Sequence, residues 1–263
     1  MKRILAVLLA LSLLSACSLL PEQIDETKSW SPSKLYAMAK EQLEEGNYTQ
    51  SIQYFEKLEA RFPYGPYAQQ AQLEVAYAYY KDNEPVSAIA ACDRFIKLHP
   101  NHANVDYAYY LKGLASFNED TSLLAVLGDQ DMSQRDPQAA RESFEAFKEL
   151  VSLFPNSKYA PDSLARMKYL VNALASHEVH VARYYYKRGA YVAAAGRAKY
   201  VLEHYQQAPA LEEALAIMAQ SYDKLGLTDL RDDALRVLKK NFPSSAVTAE
   251  EGAKKAGAWW RFW

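Results

Sequence analysis

The feature that most constrains this chain is a recurring punctuation. A helical apolar pattern runs into an aromatic or His residue followed by proline at Phe62-Pro63, His99-Pro100, Phe154-Pro155 and Phe242-Pro243. Proline lacks a backbone N–H and its ring clashes with the preceding turn, so each pair closes one helix and lets the next unit begin. Pro63 and Pro100 lie 37 residues apart. Self-similarity at such a period marks stacked helical units, each too small to bury a core alone.

Laying each unit backwards from its punctuation tests the register. Ala39, Ala76, Gly113, Ala182 and Ala219 fall at equivalent points of five first helices, where a larger side chain would hold paired helices apart. Gly46, Gly189 and Gly226 follow at the turns, with Asn83 standing in once. The second helices then carry apolar pairs at i, i+3: Phe55 and Leu58, Cys92 and Phe95, Phe147 and Leu150, Ala198 and Val201, Leu235 and Leu238. That spacing puts each pair on one stripe facing a neighbouring helix. The pattern predicts an all-α fold, a tetratricopeptide-repeat solenoid of five helix pairs. Nine glycines in the whole chain and no alternating strand pattern agree with it. Two positions depart: unit four ends in Tyr205-Gln206, and unit five carries Arg231 where units two and four have Ala88 and Ala194.

Residues 1–16 read as a secretory signal, with Lys2 and Arg3 ahead of an apolar run from Ile4 to Leu14. The run is too short to be a spanning helix. Leu14-Ser15-Ala16-Cys17 resembles the lipobox of bacterial lipoproteins, which implies that Cys17 becomes the lipidated first residue. By the same resemblance, Ser18 rather than Asp points to the periplasmic face of the outer membrane. Loss of the signal moves the formal net charge from −2 to −4, because Lys2 and Arg3 go with it. Nothing in that balance suggests nucleic acid. Residues 17–33, polar with Pro21 and Pro32, read as a lipidated N-terminus and tether.

The body divides into repeats 1–3 over 34–156, repeats 4–5 over 157–245, and a tail over 246–263 containing Trp259, Trp260, Phe262 and Trp263. Between units two and three the proline spacing grows to 55 residues, and the surplus falls at about 118–136. An insertion of that length is either functional or folded back on the body. Tyr159 to Arg188 reads as one long helix, about 45 Å at 1.5 Å per residue.

First helices line the concave face of such a solenoid. In this register they present Tyr36, Lys40, Tyr77, Tyr80, Lys81, Tyr107, Tyr110 and Phe117 there. These rings either pack between first helices or line a groove for an extended peptide, covering its backbone and apolar side chains. Arg183, Lys187, Arg188 and Arg197 gather charge near Tyr184, Tyr185 and Tyr186, as a solvated basic face or as a set of donors that pair with partner carboxylates. The Trp-rich tail either caps the last repeat or serves as a partner or membrane-interface anchor.

No catalytic residue, cofactor or metal is expected. His99 with His102, and His177 with His180, lack a third ligand at a telling spacing. Walker, G-x-S-x-G and C-x-x-C motifs are absent from the sequence. Cys92 sits at a core position and reads as a small apolar residue.

Several segments together resemble one family. They are Arg61-Phe62-Pro63-Tyr64-Gly65-Pro66-Tyr67, Tyr77-Ala78-Tyr79-Tyr80-Lys81, Arg94-Phe95-Ile96, Arg135-Asp136-Pro137-Gln138, Phe154-Pro155-Asn156-Ser157-Lys158-Tyr159 and Lys187-Arg188-Gly189-Ala190-Tyr191. With the lipobox they resemble the BamD lipoproteins of the outer-membrane β-barrel assembly machinery, also described as competence lipoproteins. The resemblance implies a non-enzymatic scaffold of the BAM complex, anchored in the outer membrane by its N-terminal lipid. It implies that repeats 4–5 dock on the periplasmic domains of BamA, with Arg197 and Arg188 as contacts, and that BamC lies along the side. It also implies that the N-terminal repeats receive unfolded outer-membrane β-barrel proteins, with Phe62, Gly65 and Tyr67 at the substrate-facing junction. Some members have Tyr where this chain has Phe62. A peptidoglycan-associated or cell-wall-remodelling lipoprotein is the alternative reading.

Overall fold

A computed structural model describes residues 25–117 and 137–245. Among them every regular element is helical. Ten α-helices follow in order: α1 (Pro32–Glu44), α2 (Tyr48–Arg61), α3 (Pro66–Lys81), α4 (Pro85–Leu98), α5 (Val105–Ser116), α6 (Pro137–Leu153), α7 (Ala160–Lys187), α8 (Tyr191–His204), α9 (Leu211–Lys224) and α10 (Thr228–Asn241). Consecutive helices pack against each other, and first helices also touch across repeats, α1 on α3, α3 on α5 and α7 on α9. The fold is the expected five-pair solenoid.

The small-residue slot explains the pairing. Ala39, Ala76 and Ala182 are fully buried, and Ala219 nearly so. Gly113 has no room for a side chain, since a Cβ there would lie 2.5 Å from the buried Phe147 ring. Twelve residues after the slot, Ser51 donates its hydroxyl to the Ala39 carbonyl at 2.8 Å. Ser143 does the same to Gly113 at 2.8 Å, so the long insertion is spliced into unit three without breaking its register. In unit five the same position is Arg231, which leans outward to Asp223 at 3.0 Å and Asp232 at 2.8 Å.

The turns behave as their residues dictate. Gly46, Asn83, Gly189 and Gly226 take φ of 82°, 60°, 76° and 72°. That left-handed residue lets the next N–H reach back to an orphaned carbonyl, as in Asn47 to Gln42 at 2.8 Å and Leu227 to Tyr222 at 2.9 Å.

The junctions need no proline. Tyr205 has φ −129° and ψ 47°, beside −132° and 66° for Phe62 and −132° and 56° for His99. Each of these residues donates its N–H to a carbonyl four residues back at 2.8 Å. Proline therefore enforces a conformation that the hydrogen bond and the half-buried ring already favour. The departure from the proline pattern at unit four thus leaves the junction's backbone unchanged.

Within the stretch read as a tether, residues 25–30 pack on α2. Asp25 accepts from Arg61 and from Lys57, Arg61 also donates to the Thr27 carbonyl, and a 3-10 turn spans Glu26–Ser29. Trp30 then lies 5.8 Å from the Tyr54 ring. Aspartate and tryptophan thus fix the chain to α2 from residue 25 onward. Cys17, the 118–136 insertion and the 246–263 tail lie outside the described residues. Among those described, no helix is long and apolar enough to cross a membrane.

Candidate functional site

The Phe62–Tyr67 junction joins α2 to α3. Phe62 ends α2 and packs half-buried on the N-terminal core. Gly65 precedes α3 with φ 102° and ψ 174°, a region essentially reserved for glycine. Its neighbourhood is open, so the requirement is conformational rather than spatial. The turn leaves Tyr64 92% exposed and Tyr67 45% exposed. Tyr64, quoted in the motif but not placed among the site residues, is the more accessible ring. Tyr67 meets Tyr36 at 5.6 Å, and the Tyr36 hydroxyl donates to Glu74 at 3.3 Å beside Lys40 at 3.2 Å.

From Glu74 an aromatic seam follows the first helices. Tyr77 and Tyr80 on α3 and Tyr107 on α5 are half-buried against the same core. Tyr107 lies 5.4 Å from the Tyr159 ring, and Tyr110 stacks on Tyr159 at 4.7 Å. The Tyr110 hydroxyl donates to Asp162 at 2.7 Å. Burial pushes the Tyr107 hydroxyl well above its usual range, with Tyr77 and Tyr159 adding to the effect. Burial and the bond to Asp162 also raise Tyr110. These rings pack between first helices and keep an edge in solvent. Such a seam offers apolar faces to a ligand's side chains and neutral hydroxyls to its backbone.

The expected basic cluster is partly spent inside the chain. Arg183 donates from Nε to Glu213 at 2.9 Å. Arg188, exposed at the end of α7, stacks over Tyr184 at 5.1 Å. Arg197 on α8 donates from Nη1 to Glu178 at 2.9 Å. The Glu178 side chain is only 3% exposed, and its other oxygen faces Arg141 of α6 at 3.6 Å. The structure thus brings Arg197 together with Glu178 and Arg141, joining repeats three and four. Both arginine side chains remain about half exposed, at 47% and 50%.

Sequence reasoning missed Glu178 among the many surface acids. The signal was its register, four residues before the slot, where units one and five carry the fully buried Leu35 and Leu215. Of the histidines, His99 bonds Gln72 at 2.8 Å, and His99 and His102 both pack on Phe95. Burial pushes the Cys92 thiol up to about 12, so it stays protonated and unreactive.

The family model of the YfiO outer membrane lipoproteins matches residues 28–238. The outer membrane protein assembly factor BamD of Neisseria meningitidis serogroup B is 50% identical over 266 aligned residues, covering 100% of both chains. Its counterpart from Xylella fastidiosa strain Temecula1 is 41% identical over 209 residues, covering 80% of this chain and 71% of that one. Among solved structures, the MamA protein is similar with a TM-score of 0.39 and 16% identity, over 87% of this chain and 97% of that one.

Proposed function

We propose, on the premise that this chain belongs to the YfiO family of outer membrane lipoproteins and to its BamD members, that it is a non-enzymatic scaffold for outer-membrane β-barrel assembly. Lipid on Cys17 would hold it at the periplasmic face of the outer membrane. Repeats 1–3 receive an unfolded barrel protein while repeats 4–5 dock on the periplasmic domains of BamA, with BamC alongside.

The observation that carries this reading is the half-exposed aromatic seam from Tyr67 through Tyr36, Tyr77 and Tyr107 to Tyr110. Its rings are held by neighbouring rings and carboxylates, so little side-chain freedom is lost when a ligand arrives. An extended strand with alternating aromatic residues would place rings on rings and its backbone over the hydroxyls. Phe62 and Gly65 set the angle at which the strand enters. Toward BamA, Arg188 and the outer half of Arg197 present guanidinium donors suited to a carboxylate.

Affinity purification of the full chain from solubilised envelopes tests the assignment. BamA and barrel precursors are the expected partners; murein fragments recovered without BamA would transfer the chain to a cell-wall role.

A further inference from the structure

We infer that the groove between α4 and α6 is a docking site for a partner protein segment that inserts an aromatic side chain flanked by lysine or arginine. The repeat register points to it. Three residues after the small-residue slot, units two, four and five carry Tyr79, Tyr185 and Tyr222, whereas unit three carries Ser116. Unit one, with no preceding repeat to pack on, carries Gln42. In unit two the ring fills the seam with the repeat before it. Tyr79 packs on the core that contains Ile52, and its hydroxyl donates to Glu56 of α2 at 2.8 Å. Tyr185 and Tyr222 likewise pack on the C-terminal core. A serine is too short for that task, so the seam between units two and three lacks the ring that the other seams have. First helices α3 and α5 still touch there, while α4 and α6 are joined through α5.

A depression of about 430 Å³ opens at this seam, with Ile89, Asp93, Lys112, Ser116 and Ala146 among its walls. Ile89 stands where unit one has Ile52, which is 7% exposed, yet Ile89 is only partly buried. Ser116 is 6% exposed, and its hydroxyl has no hydrogen-bond partner among the described residues. A buried hydroxyl left unpaired is unfavourable, and an incoming donor or acceptor would satisfy it. Where Glu56 receives Tyr79, unit two supplies Asp93, whose Oδ1 holds Lys112 at 2.7 Å. A carboxylate accepts at both oxygens, so Asp93 can also receive a phenol or a cation. Charge selects the rest of the occupant. Glu142, Glu145 and Glu149 line the groove from α6, and with Asp93 they outnumber Lys112 and Arg141. That surplus suits lysine or arginine beside the ring and works against an acidic segment. The chain's own stretch 118–136 contains no aromatic residue and carries five carboxylates against one arginine, so its chemistry does not match.

The test uses the mature chain carrying Cys17→Ser and a short labelled peptide with one central tyrosine between lysines. Fluorescence anisotropy reads affinity, and the methyl NMR signals of Ile89 report where the peptide sits. Saturable binding that moves the Ile89 signals is expected, about ten-fold weaker when alanine replaces the peptide's tyrosine. Ser116→Tyr installs the ring of the other units, and should weaken binding about ten-fold and silence the Ile89 response while helicity is kept. Glu145→Lys, an exposed change on the rim, should weaken binding several-fold, most at low salt. No binding by the parent, equal affinity for the tyrosine and alanine peptides, or binding untouched by Ser116→Tyr would overturn the inference. The last result would place the peptide on the concave seam instead. Should Ser116→Tyr fail to fold, Glu145→Lys decides, and undiminished affinity there refutes the groove. Ile89 signals that move with protein concentration alone would assign the groove to a second copy. Signals that move on Leu123→Ser/Leu127→Ser would assign it to the chain itself, and either outcome overturns the inference as well.

Discussion

Arg197→Ala is the perturbation that most sharply separates structure from partner binding. Its guanidinium is 2.9 Å from Glu178, a carboxylate only 3% exposed. Removing one partner of a fully buried ion pair costs roughly 3–5 kcal/mol, and one charge-assisted hydrogen bond contributes about 1.5–3 kcal/mol. Here Arg141 stays within 3.6 Å and both arginines reach solvent, so part of the cost is recovered. A loss of about 1–3 kcal/mol is expected. Glu178→Leu installs the residue found at this register in units one and five, both buried without a charge. The double variant Glu178→Leu/Arg197→Ala should therefore lie within about 1 kcal/mol of the parent, because no buried charge is left unpaired. Urea unfolding followed by helical ellipticity reads both numbers, with slopes unchanged. A loss below about 0.5 kcal/mol for Arg197→Ala, with additive effects in the double variant, would refute the buried-pair reading. The double variant also isolates the proposed docking role: parental stability with lost recovery of BamA assigns Arg197 to the partner surface, and full recovery removes it.

Gly113→Val forces a branched side chain against the Phe147 ring and should cost about 1–3 kcal/mol in chemical denaturation, more than a helix glycine gains by acquiring a side chain. Gly65→Ala meets no atom but cannot hold φ 102°, so a loss of about 1–3 kcal/mol and a changed quencher access to Tyr64 are expected in thermal melts and iodide quenching. Alkaline unfolding tests the hydroxyl network. Burial pushes Tyr79 up to about 12, with its bond to Glu56 contributing, and Tyr107 and Tyr110 rise in the same direction. An unfolded tyrosine releases its proton near 10, so stability is constant below that value and falls as the pH climbs toward the folded values. Denaturation midpoints measured from pH 8 to 11.5 should drop only in the upper part, and a midpoint that rises there would contradict the assignment.

The fold was largely legible because its constraints are local. A left-handed turn selects glycine or asparagine, and a close helix contact selects Ala39 or Gly113, whatever the surroundings. Register arithmetic therefore placed every pair, including Phe147 and Leu150 beyond the insertion. The site was less legible because exposure and partnership depend on neighbours distant in sequence. Tyr107 and Tyr110 look alike as helix-face aromatics, yet their packing is settled by Tyr159, about fifty positions away. Arg197 looked like a free cation until Glu178 was placed behind it. The docked Asp25–Trp30 stretch had no period to detect, since an ion pair to Arg61 and one ring contact hold it. Proline marked the junctions well, and Tyr205 shows that the marker is separable from the conformation.

Site-specific photocrosslinking along the concave seam addresses the central claim most directly. A photoreactive residue at Tyr80 or Tyr110 should label an unfolded barrel peptide ending in an aromatic residue, with much weaker labelling from exposed Gln53 or Val86 on the second helices. Labelling from Tyr80 and Tyr110 no stronger than from those outer positions would contradict the account.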